Sequence, residues 1–264
     1  MKDSKIEWCH HTANLWWGCT AVHAGCDHCY AKSWAERWGN NVWGNDKSRK
    51  EVLSVWRDLA RFQQLAKDAG EIHRVFIGSM MDIFEKPMLL TDWKGNPRPY
   101  KTDALRNRLF EEVIPQSPNL LFLLLTKRPS NINKYIPESW KTEPPENVMF
   151  GTSPVDQATA NQLIMQLAQV KGKRFLSVEP QLEPVDLMAP AIYQGKTDGV
   201  LLDHVDWIIN GGESGSHKRP FNTDWGKQLR DDCKAKGVPF FFKQIDKIQE
   251  IPADLMVREF PDPV

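Results

Sequence analysis

Short, continuous apolar runs dominate the hydrophobic pattern along this chain, and each of them ends in polar or small residues. The runs occupy residues 74–79, 120–126, 148–153, 174–179, 205–210 and 239–244. A run of this length without alternation is typical of a strand that is buried on both faces, as strands of a parallel sheet are. The pattern therefore predicts a parallel β-sheet.

Segments with helical periodicity lie before and between these runs. They cover residues 29–38, 55–69, about 102–114, 156–169 and 224–236. The first carries Tyr30, Trp34 and Trp38 on one stripe, and the last ends before Gly237. Alternating strands and helices form βα units with right-handed crossovers. About six or seven strands then predict an α/β fold, built as a full or partial parallel (β/α) barrel.

The sequence is predicted to form a single domain over residues 1–264. This length is sufficient for one large core, and no repeat, low-complexity tract or linker marks a boundary. Two polar stretches interrupt the alternation. Residues 39–53 are predicted to be an irregular insertion, and residues 88–101 a surface excursion.

Composition and charge limit the partners and the cellular compartment that the sequence predicts. Lys plus Arg and Asp plus Glu both number 34, so no overall charge attracts nucleic acid or an anionic membrane, although a local basic patch stays open. No apolar stretch of about 18 residues or signal-peptide core occurs, which predicts a cytoplasmic protein without a membrane partner. An odd number of cysteines, five, argues against a disulfide framework. The eleven tryptophans are expected mostly in the core, with base stacking as the alternative for a few.

A cluster of three cysteines, Cys19, Cys26 and Cys29, is the main candidate for chemistry. Gly18 and Gly25 precede the first two of them. Three thiolates on one loop can hold a metal centre and leave one position open, as a catalytic centre requires. Thiolates suit both zinc and iron–sulfur clusters. A closed zinc site would need a fourth ligand, for which the neighbourhood offers Cys9, His10, His11, His23 and His28.

Polar residues follow the predicted strands at their carboxyl ends, where parallel α/β folds collect their reactive groups. A glycine pair among them would let the backbone approach a ligand closely. The candidates at these ends are Ser79, Asp82, Thr126, Lys127, Arg128, Ser153, Ser177, Glu179, Gly211, Gly212, Glu213, Lys243 and Gln244.

At the level of motifs, the sequence resembles a known family. Asn14-x-Trp-x-Gly-Cys and the later Gly-Cys-x-x-Cys-Tyr-Ala resemble the three-cysteine loop of radical S-adenosylmethionine proteins, and are similar to the phage-associated three-Cys-motif family, which is largely uncharacterised. The likeness extends over nearly the whole chain. Its further stretches are residues 5–8, 79–84, 125–129, 177–180, 207–215, 219–220 and 238–244.

The resemblance implies a partial barrel with a 4Fe-4S cluster on the three cysteines and S-adenosylmethionine chelated to the fourth iron. One electron would cleave the sulfonium C–S bond, and the resulting 5′-deoxyadenosyl radical would abstract hydrogen from a substrate. His28 matches the position beside the adenine, and Ser79 and Asp82 are assigned to the methionine amino end. Further cofactor contacts are expected from Thr126, Ser153, Ser177, Gly211 and Gly212, and catalytic roles from Lys127, Glu179 and Glu213.

Two features depart from the common radical enzymes. Six residues separate Cys19 from Cys26, where those enzymes have three, and the Gly-Gly-Glu segment at 211–213 comes late in the chain rather than after the second strand. The loop is therefore longer than in those enzymes, and Glu213 is expected to act at the site without a specified role.

Three functions are compatible with these features. The first is a radical S-adenosylmethionine enzyme that acts on a nucleic acid base or nucleotide, with an external electron donor and room for a partner protein. The second is a zinc-stabilised nucleic-acid-binding protein whose tryptophans stack on bases. Its phosphate contacts would be Lys127, Arg128, Lys218 and Arg219. The third is an iron–sulfur protein that transfers electrons or senses redox state without catalysis.

Overall fold

The computed structural model describes residues 2, 4–215 and 217–261. Its strands are β1 (His11–Ala13), β2 (Trp16–Trp17), β3 (Arg49–Glu51), β4 (His73–Ile77), β5 (Leu89–Thr91), β6 (Pro97–Lys101), β7 (Leu120–Thr126), β8 (Val148–Thr152), β9 (Lys173–Val178), β10 (Pro190–Tyr193), β11 (Lys196–Val200), β12 (Trp207–Gly211) and β13 (Phe240–Gln244). Its α-helices are α1 (Tyr30–Arg37), α2 (Val55–Ala69), α3 (Thr102–Arg108), α4 (Ile132–Tyr135), α5 (Gln157–Leu167) and α6 (Thr223–Lys236).

The main sheet has seven parallel strands in the order β1-β4-β7-β8-β9-β12-β13. It is curled into a half-barrel surrounded by helices, which confirms the predicted partial parallel barrel. All the apolar runs form strands of this sheet. The additional strand, β1, was not predicted because its three residues, His-Thr-Ala, have no apolar run.

Two hydrophobic clusters cover the two faces of the sheet. On the outer face, Val75 and Phe122 belong to the same cluster as Leu59 and Phe62 of α2. On the inner face, the N-terminal Trp8 packs into a cluster of strand residues; its ring centroid lies 4.7 Å from that of Phe76. The N-terminal segment therefore fills the interior of the half-barrel, and the remaining space lies at the ends of the strands.

A second, four-stranded sheet forms from β2 and from the two stretches that were predicted to be an irregular insertion and a surface excursion. Its order is β2-β3-β5-β6, and it brings residues 39–53 and 88–101 together. The charged strand β3 is largely buried: Arg49 is 0% exposed and Glu51 is 3% exposed. Arg98 Nε lies 2.7 Å from Glu51 Oε2. The sequence did not predict β3 because its residues are polar, and the partners that pair with its buried charges lie far away in the chain. Strands β10 and β11 form a separate antiparallel hairpin.

The ends of the helices follow signals in the local sequence. Asp156 caps α5 by accepting a hydrogen bond from Thr159 N, and α6 ends at Gly237 with φ 68°. Helix α3 continues as a π-helical turn over Leu109–Val113. The aromatic stripe of α1 faces solvent, with Trp38 65% exposed. No helix within the described residues is long and apolar enough to cross a membrane.

Candidate functional site

A cavity of about 660 Å³ lies at the carboxyl edge of the half-barrel. Parallel strands bring their carboxyl ends to one edge, so residues far apart in the chain meet there. The lining includes every residue predicted to hold the metal, bind the cofactor or act in catalysis except Gly211 and Gly212: Cys19, Cys26, Cys29, His28, Ser79, Asp82, Thr126, Lys127, Ser153, Ser177, Glu179 and Glu213. A cavity of this size suits a small organic ligand.

The cysteine loop, residues 19–29, borders this cavity because it follows β1 and β2 at the carboxyl edge. Gly18, with φ 118°, precedes it; a Cβ there would lie 2.4 Å from Val42 O, so the turn into the loop requires glycine. At its end, Cys29 is the N-cap of α1. All five cysteines are free thiols. Cys9 packs inside the half-barrel and Cys233 in the outer core, away from the loop.

Burial and the nearby charge of Asp82 raise the pKa of Cys19 to about 12. Arg128 acts in the opposite direction, since its Nη1 donates a hydrogen bond to Cys19 Sγ at 3.8 Å. The thiol is therefore protonated at neutral pH in the metal-free protein, and binding of a metal would release the proton.

Asp82 is fully occupied by protein contacts. Its Oδ1 accepts hydrogen bonds from Thr126 Oγ1 at 2.7 Å and Phe84 N at 3.0 Å. Its Oδ2 accepts from Arg128 Nη1 at 2.7 Å and Lys127 N at 3.3 Å. Because a carboxylate accepts about four hydrogen bonds, no acceptor is left for the amino group of a bound methionine moiety. In the protein alone Asp82 therefore positions its neighbours, and its predicted contact with a cofactor stays a prediction.

Glu213 likewise has a network of its own. It is 7% exposed, and Arg219 donates to it from its backbone N at 2.7 Å, from Nε at 3.1 Å and from Nη2. His28 Nδ1 lies 3.3 Å from Glu213 Oε2, which joins the carboxylate to the cysteine loop. Burial acts to raise the pKa of Glu213, but the hydrogen bonds from Arg219 outweigh it and lower the pKa.

The glycine pair, Gly211 and Gly212, packs closely against neighbouring parts of the chain. A Cβ at Gly212 would lie 2.2 Å from Ile245 O and 2.8 Å from Phe221 Cβ, and one at Gly211 would lie 2.9 Å from Gln244 O. These glycines therefore allow a close approach of the chain at the end of β13. Their predicted role in binding a ligand stays a prediction.

The remaining predicted residues differ in their burial and in their contacts with the rest of the protein. Glu179 forms an ion pair with Lys243. Ser153 and Ser177 are 1% and 3% exposed at the ends of β8 and β9. Lys127 lines the cavity, and its side chain makes no hydrogen bond or ion pair with any residue that the structure describes. It is therefore available to a ligand with a negative charge.

Several residues that shape the site were not predicted to do so. Asn14, between β1 and β2, donates to Ser79 Oγ at 2.8 Å and accepts from Met80 N at 2.7 Å, which joins the chain before the loop to the residues that follow β4. Tyr30 donates to the Ser79 carbonyl at 2.9 Å. Asn14 and Tyr30 belong to the cysteine motif, so their place in that motif was the available signal.

The thiols of the cysteine loop can be compared with what a zinc ion or an iron–sulfur cluster requires. Among the described residues, no three His, Cys, Asp or Glu side chains converge so as to hold a metal ion. A zinc ion would need its thiolates within about 2.3 Å of one point. A multi-iron cluster is larger, and its ligands surround a space instead of a point. Three free thiols on one loop beside a cavity are donors that either zinc or an iron–sulfur cluster accepts.

Fold and cavity define an α/β half-barrel protein with a candidate ligand site at the carboxyl edge of its strands. The chain belongs to the family described as protein of unknown function (DUF5131), which matches residues 3–256. No curated protein and no solved structure matches the chain.

Proposed function

We propose that this protein is an iron–sulfur enzyme that uses S-adenosylmethionine to start radical chemistry on an organic substrate. The observation that carries the proposal is the placement of Cys19, Cys26 and Cys29 on one wall of a cavity whose other walls are the polar ends of parallel strands. The resemblance to radical S-adenosylmethionine proteins and to the phage-associated three-Cys-motif family supports it. Free thiols suit a reducing compartment, so we expect the protein to act in the cytoplasm.

The three cysteines would hold the cluster, and the neighbouring strand ends would hold S-adenosylmethionine. When bound, these groups supply one-electron cleavage of a sulfonium C–S bond followed by hydrogen abstraction. The protein's own task is to orient the ligand and exclude water. His28 is held by Glu213, which orients its ring at the cavity wall. The Ser79 and Ser177 hydroxyls border the same space and are suited to bind the polar end of the ligand.

For the substrate we propose a nucleobase or nucleotide. The Lys127 ammonium, which has no partner among the described residues, is suited to a phosphate. Trp8 and Phe76 line the same cavity and give it an apolar wall for a flat base. We expect Lys127→Met to weaken nucleotide binding to the reconstituted protein more than nucleoside binding, measured by calorimetric titration. Equal losses for both ligands would contradict a phosphate contact.

Metal analysis tests the class of protein. After anaerobic reconstitution with iron and sulfide, we expect an iron–sulfur absorption spectrum and bound iron that is lost in each single Cys→Ala variant of the loop. The changes Cys9→Ala and Cys233→Ala are matched controls and should retain the iron. Zinc in place of iron, with Cys9→Ala as damaging as the loop variants, would instead support a closed zinc site.

Turnover of the cofactor tests the activity. Reduction of the reconstituted protein with dithionite in the presence of S-adenosylmethionine should release 5′-deoxyadenosine and methionine. Calorimetric titration should show that S-adenosylmethionine binds. An intact cluster that binds S-adenosylmethionine without cleaving it under reduction would contradict the radical mechanism and support an electron-transfer role.

A further inference from the structure

Two arginines hold the cysteine loop at its backbone. Arg128, at the end of β7, donates from Nη2 to Thr20 O at 2.5 Å. Arg219, which follows β12, donates from Nη2 to Ala24 O at 3.1 Å. The two contacts reach the loop from different strand ends, and each carbonyl lies between Cys19 and Cys26. The longest interval between the cysteines is therefore held at two points.

Each arginine is fixed in turn by a buried carboxylate. Asp82, 5% exposed, accepts from Arg128 Nη1 at 2.7 Å. Glu213, 7% exposed, accepts from Arg219 Nε at 3.1 Å. A guanidinium has five donors in a fixed plane, so it can bind a carboxylate and still donate to a backbone carbonyl. We call these two arrangements, Asp82–Arg128–Thr20 and Glu213–Arg219–Ala24, the loop clamps.

The loop contributes little order of its own. Among the described residues, its internal backbone hydrogen bonds form one short turn, with Cys26 N donating to His23 O at 2.9 Å and Asp27 N to Ala24 O at 3.2 Å. Gly25 N donates to His23 Nδ1 at 3.1 Å. Ala24 O therefore accepts both the closing bond of the turn and the bond from Arg219. Loss of Arg219 would leave this turn without its external support.

We propose that Arg128 and Arg219 are positioning residues that arrange the cysteine loop before any metal binds, so that the three thiols already face the cavity. The part of this inference that concerns metal rests on the proposed function, whereas the ordering of the loop does not. Hydrogen bonds from a charged donor are stronger than neutral ones, and a loop held in place loses less entropy when it binds a ligand. The clamps thus favour binding by the loop without contributing a ligand.

Hydrogen exchange of the metal-free protein tests the ordering directly. In Arg219→Ala we expect the amides of Gly25, Cys26 and Asp27 to exchange about tenfold faster or more, because a charge-assisted bond to the turn is lost. Glu213→Gln should accelerate the same amides, since it frees the guanidinium. Arg219→Lys should give an intermediate rate, because one ammonium replaces the planar fork of donors.

Arg230→Ala is the matched control. Arg230 also donates to a carboxylate, Asp231 Oδ1 at 2.8 Å, and to a carbonyl, Asp254 O at 2.6 Å, but it lies on α6 and has no contact with the loop. We expect it to leave exchange in the loop unchanged. Unchanged loop exchange in Arg219→Ala would overturn the proposal. Acceleration spread equally through the core strands would also overturn it, because Arg219 would then support the whole fold.

Iron content separates this inference from the proposed function. If both hold, Arg219→Ala should retain less iron than Arg230→Ala after identical anaerobic reconstitution. If the wild-type protein retains no iron while Arg219→Ala loosens the loop, the proposed function fails and the clamp stands. If the wild-type protein binds iron and Arg219→Ala leaves loop exchange unchanged, the clamp fails and the proposed function stands.

Discussion

The buried pair between Arg49 and Glu85 provides the sharpest test of how the site is supported. Arg49 and Glu85 are 0% and 2% exposed, and they form a two-point contact: Nε to Oε2 at 2.9 Å and Nη2 to Oε1 at 2.7 Å. Arg49 Nη2 also donates to Thr20 Oγ1 at 2.9 Å, directly beside Cys19. Replacing Glu85 by Gln keeps the size of the side chain and removes its charge. The guanidinium is then left buried without a counterion.

Removal of one partner from a buried ion pair costs about 3–5 kcal/mol. Melting temperatures of proteins near this size fall by about 2–4 °C per kcal/mol, so Glu85→Gln should lower the melting temperature by roughly 6–20 °C. Restoring neutrality with Arg49→Met in the Glu85→Gln background should recover only part of the loss. Arg49 Nη1 also donates to the carbonyls of Val42, Gly44 and Lys47, and buried acceptors left unpaired cost about 1–3 kcal/mol each.

Urea unfolding of the metal-free protein, followed by tryptophan fluorescence, measures these free energies of unfolding. Glu138→Gln is the control, because Glu138 is paired with Lys141 at the surface with 87% of its side chain exposed. A pair of this kind is worth no more than about 1 kcal/mol. If Glu85→Gln were no more destabilising than Glu138→Gln, the buried pair would not organise this part of the fold.

Gly212 and His10 give further expectations. Gly212→Ala places a Cβ 2.2 Å from Ile245 O, so we expect a loss of about 1–3 kcal/mol in thermal unfolding, and an unchanged melting temperature would contradict this packing. Burial, followed by the charge of Arg74, lowers the pKa of His10 to about 4 from its ordinary 6.5. The unfolded chain therefore takes up this proton first, and stability present above pH 6.5 is lost progressively as the pH falls to about 4. His10→Gln should reduce the difference between urea midpoints at pH 7 and pH 5; an undiminished difference would refute the assignment.

Local signals were sufficient for much of the architecture. The strands of the half-barrel that carry apolar runs, the cap at Asp156 and the end of α6 at Gly237 depend on residues close in sequence. Parallel topology then predicts that the polar strand ends meet at one edge, which is why nearly all the candidate residues line one cavity. The sequence was informative here because burial on both faces leaves a continuous apolar signal.

Features set by distant pairing could not be predicted in the same way. Strand β1 is short and polar, and β3 is charged; both depend on partners elsewhere in the chain. The ion pairs of Asp82 and Glu213 were not predicted for the same reason. Each appeared as a lone carboxylate at a strand end, whereas in the fold each is satisfied by an arginine, Arg128 or Arg219. Spacing shows where a carboxylate lies, but only the fold shows which cation neutralises it.

The length of the cysteine loop explains why such pairs would be placed beside it. The loop has six residues between Cys19 and Cys26 but only two between Cys26 and Cys29. Doubling a loop adds only about 0.6 kcal/mol of closure entropy, whereas fixing each further residue costs about 1–2 kcal/mol. The longer loop is thus easy to close and hard to order. Arg128 and Arg219 reduce the entropy cost of fixing the loop residues, because they hold Thr20 O and Ala24 O in place. Each arginine is itself fixed by a buried carboxylate. A longer loop that is held from outside can therefore fix the positions of three thiols as well as a shorter loop can.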